Sequence, residues 1–170
     1  MGNYATSYIK TTSASATRVA DAGTTSLSSS IVNASEGVLF LDYQPLNIID
    51  SFPVDFQLQY NGDNSINGVT IYHSGSTPAV AVKSGGNTIF SAFLTATTAG
   101  TRNKIAIAYK GSDYAVYQNG VQKATQSSGV APAALNELRL SDGSRNFSIN
   151  QALLFPTRLT NAELASLTTI

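Results

Sequence analysis

The sequence contains no cysteine and no tryptophan, and only one histidine among its 170 residues. The lack of cysteine excludes disulfide bonds, thiolate nucleophiles and every metal site that is built on cysteine. Charge is also scarce, since charged residues make up 12% of the chain and ten basic residues balance ten acidic ones. Without a basic excess, the chain lacks the electrostatic attraction that nucleic acid requires, so nucleic acid is not an expected partner.

Long apolar runs are missing as well. No stretch approaches the ~20 consecutive apolar residues of a membrane-spanning helix, so membrane insertion is not expected. A length of 170 residues fits one domain and buries enough surface for folding without covalent staples. Serine and threonine are abundant, and we expect a neutral surface that is solvated by hydroxyl groups.

Hydrophobic alternation dominates the chain from its first third onward and is typical of antiparallel strands. Each alternating run ends in glycine, asparagine, aspartate or serine, the residues that favour turns. About ten to thirteen strands are expected, a number that suits a β-sandwich. The predicted strands cover residues 36–43, 54–60, 69–73, 79–83, 88–94, 104–110, 113–118, 121–125, 135–140 and 147–155.

Three local patterns add detail. The segment 104–110 alternates large isoleucine and tyrosine with small alanine, which predicts a strand that is buried on both faces. Asn119-Gly120 lies between two β-forming runs and predicts a hairpin. Thr160, with Glu163 three residues later, predicts the capping box of a short helix that packs its leucines inward.

The first thirty residues are rich in serine and threonine. We expect residues 1–30 to form a peripheral strand with extended loops and residues 31–170 to form the sandwich itself. Tyr4, Tyr8, Ile9 and Val19 are the apolar residues that would anchor the first part.

Three stretches together resemble the concanavalin A-like, laminin-G-like domains that recur in bacteriophage structural proteins such as tail fibres. The resemblance spans essentially the whole chain, although Lys10 stands where many such N-terminal segments carry a proline after Tyr-Ile. The three stretches are Tyr-Ala-Thr-Ser-Tyr-Ile at 4–9 with 11–12 and 17–21, the strand pair 104–110 and 113–116 with Asn119-Gly120, and the closing segments 138–143 and 156–164.

This resemblance implies an all-β, antiparallel jelly-roll sandwich with one short C-terminal helix. It also implies a virion location, on an exterior appendage or on the capsid surface. The implied partners are a glycan on a bacterial surface and other virion proteins, and a homotrimer is an open alternative because phage fibres often form trimers. The shared motifs are structural, so they indicate the fold much more strongly than any ligand.

Catalysis is not expected. A glucanase of related fold needs two facing carboxylates, yet the three glutamates, Glu36, Glu137 and Glu163, are far apart and form no Glu-x-Asp-x-Glu motif. Nucleophilic catalysis would depend on His73 as its base, and no other feature supports it. We therefore assign no catalytic residue.

A carbohydrate site needs an aromatic face for the apolar side of a pyranose and planar polar groups for its hydroxyls. Eight tyrosines supply aromatic faces, although tyrosine is also an ordinary strand residue that packs structurally. His73 has the same two interpretations, because a histidine at the end of a strand serves structure as well as binding. The candidate ligand-binding residues are Tyr60, Asn61, Asp63, Tyr72, His73, Arg139 and Arg145.

Calcium is a second ligand that the resemblance implies, since laminin-G-like and pentraxin-like domains often hold it with loop oxygens. The candidate loops are 61–64 and 141–144, and Asp63 and Asp142 are the candidate ligands. Turn formation explains the same aspartates and asparagines equally well.

Three functions remain open. The first is a glycan-binding or host-recognition module, and the second is a structural or decoration domain that mediates virion assembly without sugar. The third, a polysaccharide-degrading enzyme, is disfavoured by the missing acid-base pair. A groove of exposed Tyr60, Tyr72 and His73 would favour the first function, whereas a flat apolar patch would favour the second.

Overall fold

A computed structural model describes residues 23–48, 53–141 and 146–170 of the chain. The motifs at 4–9 and 17–21, Lys10 and the four anchoring residues of the N-terminal part lie outside these ranges. The described residues form eleven strands and one helix. These are β1 Gly23–Ser26, β2 Glu36–Pro45, β3 Val54–Tyr60, β4 Asp63–Ser74, β5 Thr77–Ser84, β6 Asn87–Phe93, β7 Asn103–Lys110, β8 Tyr114–Gln118, β9 Val121–Gln126, β10 Glu137–Leu140, β11 Phe147–Phe155 and α1 Asn161–Thr168.

The strands form two antiparallel sheets. A six-stranded sheet has the order β1-β10-β3-β4-β5-β6, and a five-stranded sheet has the order β11-β2-β7-β8-β9. The predicted antiparallel β-sandwich with one short C-terminal helix is therefore confirmed. Residues 23–26 of the N-terminal part form β1, which lies at the edge of the six-stranded sheet and is exposed along its length.

The main core lies between the two sheets. Because successive side chains of a strand point to opposite faces, every second residue of the central strands enters this core. The buried residues of this core include Leu39, Leu41 and Tyr43 of β2, Phe56 and Leu58 of β3, Val69 and Ile71 of β4, Val80 and Val82 of β5, and Ile105, Ile107 and Tyr109 of β7.

A second, smaller core lies on the other side of the five-stranded sheet, beneath helix α1. Ala106 and Ala108 of β7 and Ala115 of β8 face the helix, which buries Leu164 against them. Small side chains on the sheet allow the helix to approach closely. The prediction that the strand within 104–110 is buried on both faces is confirmed.

The N-terminus of α1 has the predicted capping box. The backbone N–H of Glu163 donates to Thr160 Oγ1, and the Thr160 N–H donates to Glu163 Oε2. The Thr160 hydrogen bonds hold the pKa of the Glu163 carboxyl below its ordinary value. Leu164 is buried and Leu167 is half-buried against the second core, as predicted.

The hairpin at Asn119-Gly120 is confirmed, with positive φ angles of 51° and 80°. A second two-residue turn of the same kind occurs at Asn61-Gly62, where φ is 50° and 77°. The loop expected at 61–64 is confined to these two turn residues, because Asp63 already pairs with Tyr60 and begins β4. Two residues with positive φ are sufficient to reverse the chain, because the backbone twist of such a turn matches that of the two flanking strands.

Ala106 offers a test of the close approach of the helix. Ala106→Leu should lower the free energy of unfolding by about 1–3 kcal/mol, because the added atoms have no space beneath α1. The matched control is Ala162→Leu on the exposed side of the same helix, which should change stability by less than about 0.5 kcal/mol. Urea unfolding of both variants measures the difference, and equal stabilities would contradict this packing.

Candidate functional site

The outer side of the six-stranded sheet, here called the outer face, lies opposite the side that forms the main core. Residues that pair directly across antiparallel strands share a face, so the strand register identifies its members. One row across the outer face consists of Arg139, Gln57, Thr70, Ala81 and Ser91. The neighbouring rows contain Glu137, Gln59, Gly68 and Lys83 on one side and Tyr72, Ala79 and Phe93 on the other.

A chain of amide hydrogen bonds crosses two strands of the outer face. Gln59 Nε2 donates to Glu137 Oε1, and Gln57 Nε2 donates to Gln59 Oε1 at 2.8 Å. Since a carboxylate oxygen accepts from Gln59, the Gln59 amide oxygen must face Gln57, and the Gln57 oxygen must point away from both. The hydrogen-bond chain thus fixes the orientation of the Gln57 amide.

The Gln57 amide oxygen ends this chain without a partner. Gln57 is 1% exposed, and its Oε1 accepts no hydrogen bond in the structure. A buried acceptor without a donor costs about 1–3 kcal/mol, and such groups are rare in native proteins. The Gln57 oxygen is therefore a buried acceptor that no donor among the described residues satisfies.

Arg139 lies directly across from Gln57 in the sheet register. Its side chain is half-buried, and within residues 23–48, 53–141 and 146–170 its guanidinium has no hydrogen bond or ion pair. A guanidinium presents five donors in a planar fork that matches a carboxylate or two adjacent oxygens. Arg139 and Gln57 thus place free donors next to a free acceptor.

Two aromatic side chains lie on the same face. Tyr72 and Phe93 occupy one row with Ala79 between them, so two strand spacings, about 10 Å, separate them. Phe93 is 67% exposed, whereas Tyr72 is partly buried, and this burial raises the pKa of its hydroxyl above the ordinary value. Tyr72 and Arg139 were both predicted, and the structure brings them onto one face.

Phe93 was missed by the sequence analysis, although a signal for it exists. Within β6, Phe90 and Ala92 face the main core, so the phase of the alternation assigns Ser91 and Phe93 to the outside. A large aromatic residue in the solvent phase of a strand is the unusual feature. The prediction named only tyrosines as aromatic faces and therefore did not include Phe93.

Tyr60, Asn61 and Asp63 lie at the β3–β4 turn, far from Tyr72. Tyr72 pairs with Val54 at the other end of β3, so six residue steps, about 20 Å, separate it from Tyr60. Asn61 is engaged by Asn136, whose Nδ2 donates to Asn61 Oδ1 at 2.8 Å and whose Oδ1 accepts from the Asn61 backbone N–H at 2.9 Å. The structure therefore does not form the groove that would join Tyr60 with Tyr72.

Asp63 stabilises the same turn. Its carboxylate accepts from the Ser65 N–H at 2.6 Å and from the Ser65 hydroxyl at 2.8 Å, and these bonds lower the pKa of Asp63. Asp142, the other predicted calcium ligand, and Arg145 lie outside the described residues. Among the residues that are described, no three acidic, histidine or cysteine side chains form a group suited to a metal ion. The calcium site at Asp63 and Asp142 stays a prediction, because Asp142 lies outside the described ranges.

His73 is 0% exposed, so its ring does not reach the surface. Its Nε2 lies 2.9 Å from the Tyr43 hydroxyl, and its Nδ1 contacts Asp55 Oδ2. Asp55 enters the core because the register shifts between Val54 and Phe56, as at a β-bulge. The expectation that His73 contacts a glycan does not fit this burial, and the residue belongs to a buried polar cluster instead.

The sequence of this chain has no recognised relatives among protein-family models or curated proteins: no family model matches the chain, and no curated protein matches it.

No helix in the described ranges is long and apolar enough to span a membrane.

Several solved structures share the fold. The botulinum neurotoxin serotype G binding domain superposes with a TM-score of 0.66 at 13% identity over 85% of this chain, which spans 39% of that structure. The CBM40 of the Ruminococcus gnavus IT-sialidase bound to α2,3-sialyllactose gives 0.62 at 13% identity, over 84% of this chain and 86% of that one. The heptameric SAP-like pentraxin from Limulus polyphemus gives 0.57 at 11% identity, over 78% and 69%. The chain thus has the jelly-roll sandwich fold of these structures.

The buried cluster of Asp55, His73 and Tyr43 can be tested by stability. His73→Leu should lower the free energy of unfolding by about 3–5 kcal/mol, because the Asp55 carboxyl loses its buried partner. The double variant Asp55→Leu/His73→Leu should regain part of this loss, since it removes the isolated polar group. Urea unfolding measures both, and a double variant less stable than His73→Leu would contradict the pairing.

Proposed function

We propose that this chain is a non-catalytic carbohydrate-binding module and that its site lies on the outer face between Arg139 and Phe93. The observation that carries the proposal is the unpaired Arg139 guanidinium opposite the buried, unpaired Gln57 oxygen. A sugar presents several oxygens at close spacing, and these oxygens can accept hydrogen bonds from the guanidinium. A sugar that bears a carboxylate fits best, because the Arg139 fork binds two oxygens in one plane.

Each side chain of the site has a separate role in this proposal. The Arg139 guanidinium donates to a sugar carboxylate or to two neighbouring hydroxyls, and the buried Gln57 amide lies beside it in the sheet. Glu137 and Gln59 touch no ligand but hold the Gln57 amide in position through their hydrogen bonds. Such fixed polar groups bind with little loss of side-chain entropy.

The aromatic row supplies the apolar contact. Phe93 presents an exposed ring against which the apolar side of a pyranose can stack, and Tyr72 lies two strands closer to Arg139. From β10 to β6 the outer face extends over four strand spacings, about 19 Å, which exceeds one sugar ring. The proposed ligand is therefore an oligosaccharide or polysaccharide chain.

The biological setting of the proposal comes from the resemblance of 104–110, 113–116 and the closing segments to phage structural domains. In that setting the module belongs to a virion appendage or capsid surface, binds a glycan on the bacterial host and contacts other virion proteins. A homotrimer would present three weak sites together and raise the avidity. The sialyllactose bound by the structurally similar CBM40 supports the sugar ligand, and the phage setting rests on the sequence resemblance alone.

Catalysis is not part of the proposal. Hydrolysis of a glycosidic bond needs two carboxyl groups on either side of the bond. Among the described residues of the outer face between Arg139 and Phe93, Glu137 is the one carboxylate, and it is engaged by Gln59. The remaining alternative is a decoration domain that assembles without sugar.

Binding to a broad glycan array and to purified bacterial surface polysaccharides tests the proposal. Arg139→Gln should weaken binding of the best ligand about tenfold to a hundredfold, since a charge-assisted hydrogen bond is lost. Phe93→Ala should weaken it about threefold to tenfold through the loss of stacking.

Tyr60→Ala is the matched control, because it removes an exposed aromatic ring at the distant β3–β4 turn. This variant should bind as the wild type does, and thermal unfolding should show that all three variants are folded. Absence of binding to every glycan would refute the proposal and favour the decoration domain. Equal losses in Arg139→Gln and Tyr60→Ala would refute the position of the site.

A further inference from the structure

A small cleft lies at one end of the sandwich, away from the outer face. It is formed by the loop 94–102 between β6 and β7 together with the β8–β9 hairpin, and its volume is about 190 Å³. Asn103 and Gln118 line it, and both are buried. Pockets for drug-sized molecules measure roughly 300–1,000 Å³, so this cleft suits one smaller ligand.

Hydrogen bonds hold the cleft in shape. The Gln118 side chain bridges Thr95, accepting from its backbone N–H at 2.8 Å and donating to its carbonyl oxygen at 2.9 Å. Asn119 Oδ1 accepts from the Lys104 N–H at 2.8 Å, which fixes the hairpin against β7. The loop and the hairpin are therefore preorganised, and little ordering is required when a ligand binds.

The wall of the cleft combines one charged side chain with exposed hydroxyls and one apolar side chain. Lys123 is the one charged residue of the lining, and its ammonium donates to Thr95 Oγ1 at 2.8 Å while two of its three donors remain. Within the described ranges, Lys123 has no carboxylate partner. The hydroxyls of Thr98 and Thr101 are exposed at the rim, and Val121 adds an apolar surface that is 55% exposed.

We propose that this cleft is a second binding site, which takes a monosaccharide unit that carries a carboxylate. The ammonium of Lys123 pairs with the carboxylate, the threonine hydroxyls bond the ring hydroxyls, and Val121 contacts the apolar side of the ring. This site does not depend on the outer face, because Lys123 belongs to the five-stranded sheet and Arg139 to the six-stranded one.

Titration of the full chain with methyl β-D-glucuronide, followed by NMR of the side-chain amides, tests this site. The Asn103, Gln118 and Asn119 signals should shift saturably. Methyl β-D-glucoside, which lacks only the carboxylate, should bind about tenfold more weakly, since a charge-assisted hydrogen bond is missing. Lys123→Gln should weaken glucuronide binding about tenfold and remove the difference between the two glycosides.

Tyr60→Ala at the distant β3–β4 turn is the control variant, and its glucuronide titration at the cleft should match that of the wild type. The second site is refuted if neither glycoside shifts the cleft amides, or if Lys123→Gln keeps the preference for the glucuronide. Shifts confined to the Gln57 and Gln59 amides would refute the cleft while supporting the outer face. Shifts at the cleft without array binding would support the cleft and refute the proposed function.

Discussion

The packing of helix α1 onto alanines covers the second side of the five-stranded sheet. Ala106, Ala108 and Ala115 leave a shallow surface on the five-stranded sheet, and the helix fills it with Leu164. The centre of that sheet is therefore buried on both sides. The six-stranded sheet carries polar and aromatic side chains on its second side, and an antiparallel sheet commonly packs only one of its faces on the core.

The strands and turns follow from the sequence because they depend on neighbours along the chain. Alternation in 104–110, the Asn119-Gly120 pair and the Thr160 capping box are local patterns, and each of them predicts its own element correctly. The position of a functional side chain depends instead on which strands are neighbours. Tyr72 and Arg139 share a face because β10 pairs with β3, and no feature of the sequence specifies that pairing.

Irregularities in register account for the larger differences. His73 was expected at the end of a strand with access to a ligand, but the shift between Val54 and Phe56 turns Asp55 inward to meet it. A bulge moves a side chain to the opposite face, and its position is not encoded in the hydrophobic period. The burial of Gln57 could not be foreseen for a different reason, since glutamine in a strand ordinarily indicates a solvated side chain.

The order of the strands also bears on how the protein reaches its native state. β10 pairs with β3, so the Glu137 and Gln59 side chains that meet in the sheet are 78 residues apart in sequence. Likewise β2 obtains its second neighbour from β11, near the C-terminal helix. Contacts of such long sequence separation require the closure of large loops, and proteins rich in them fold in milliseconds to seconds. On a ribosome, β2 and β3 must therefore wait, with unpaired edges, until nearly the whole domain has emerged.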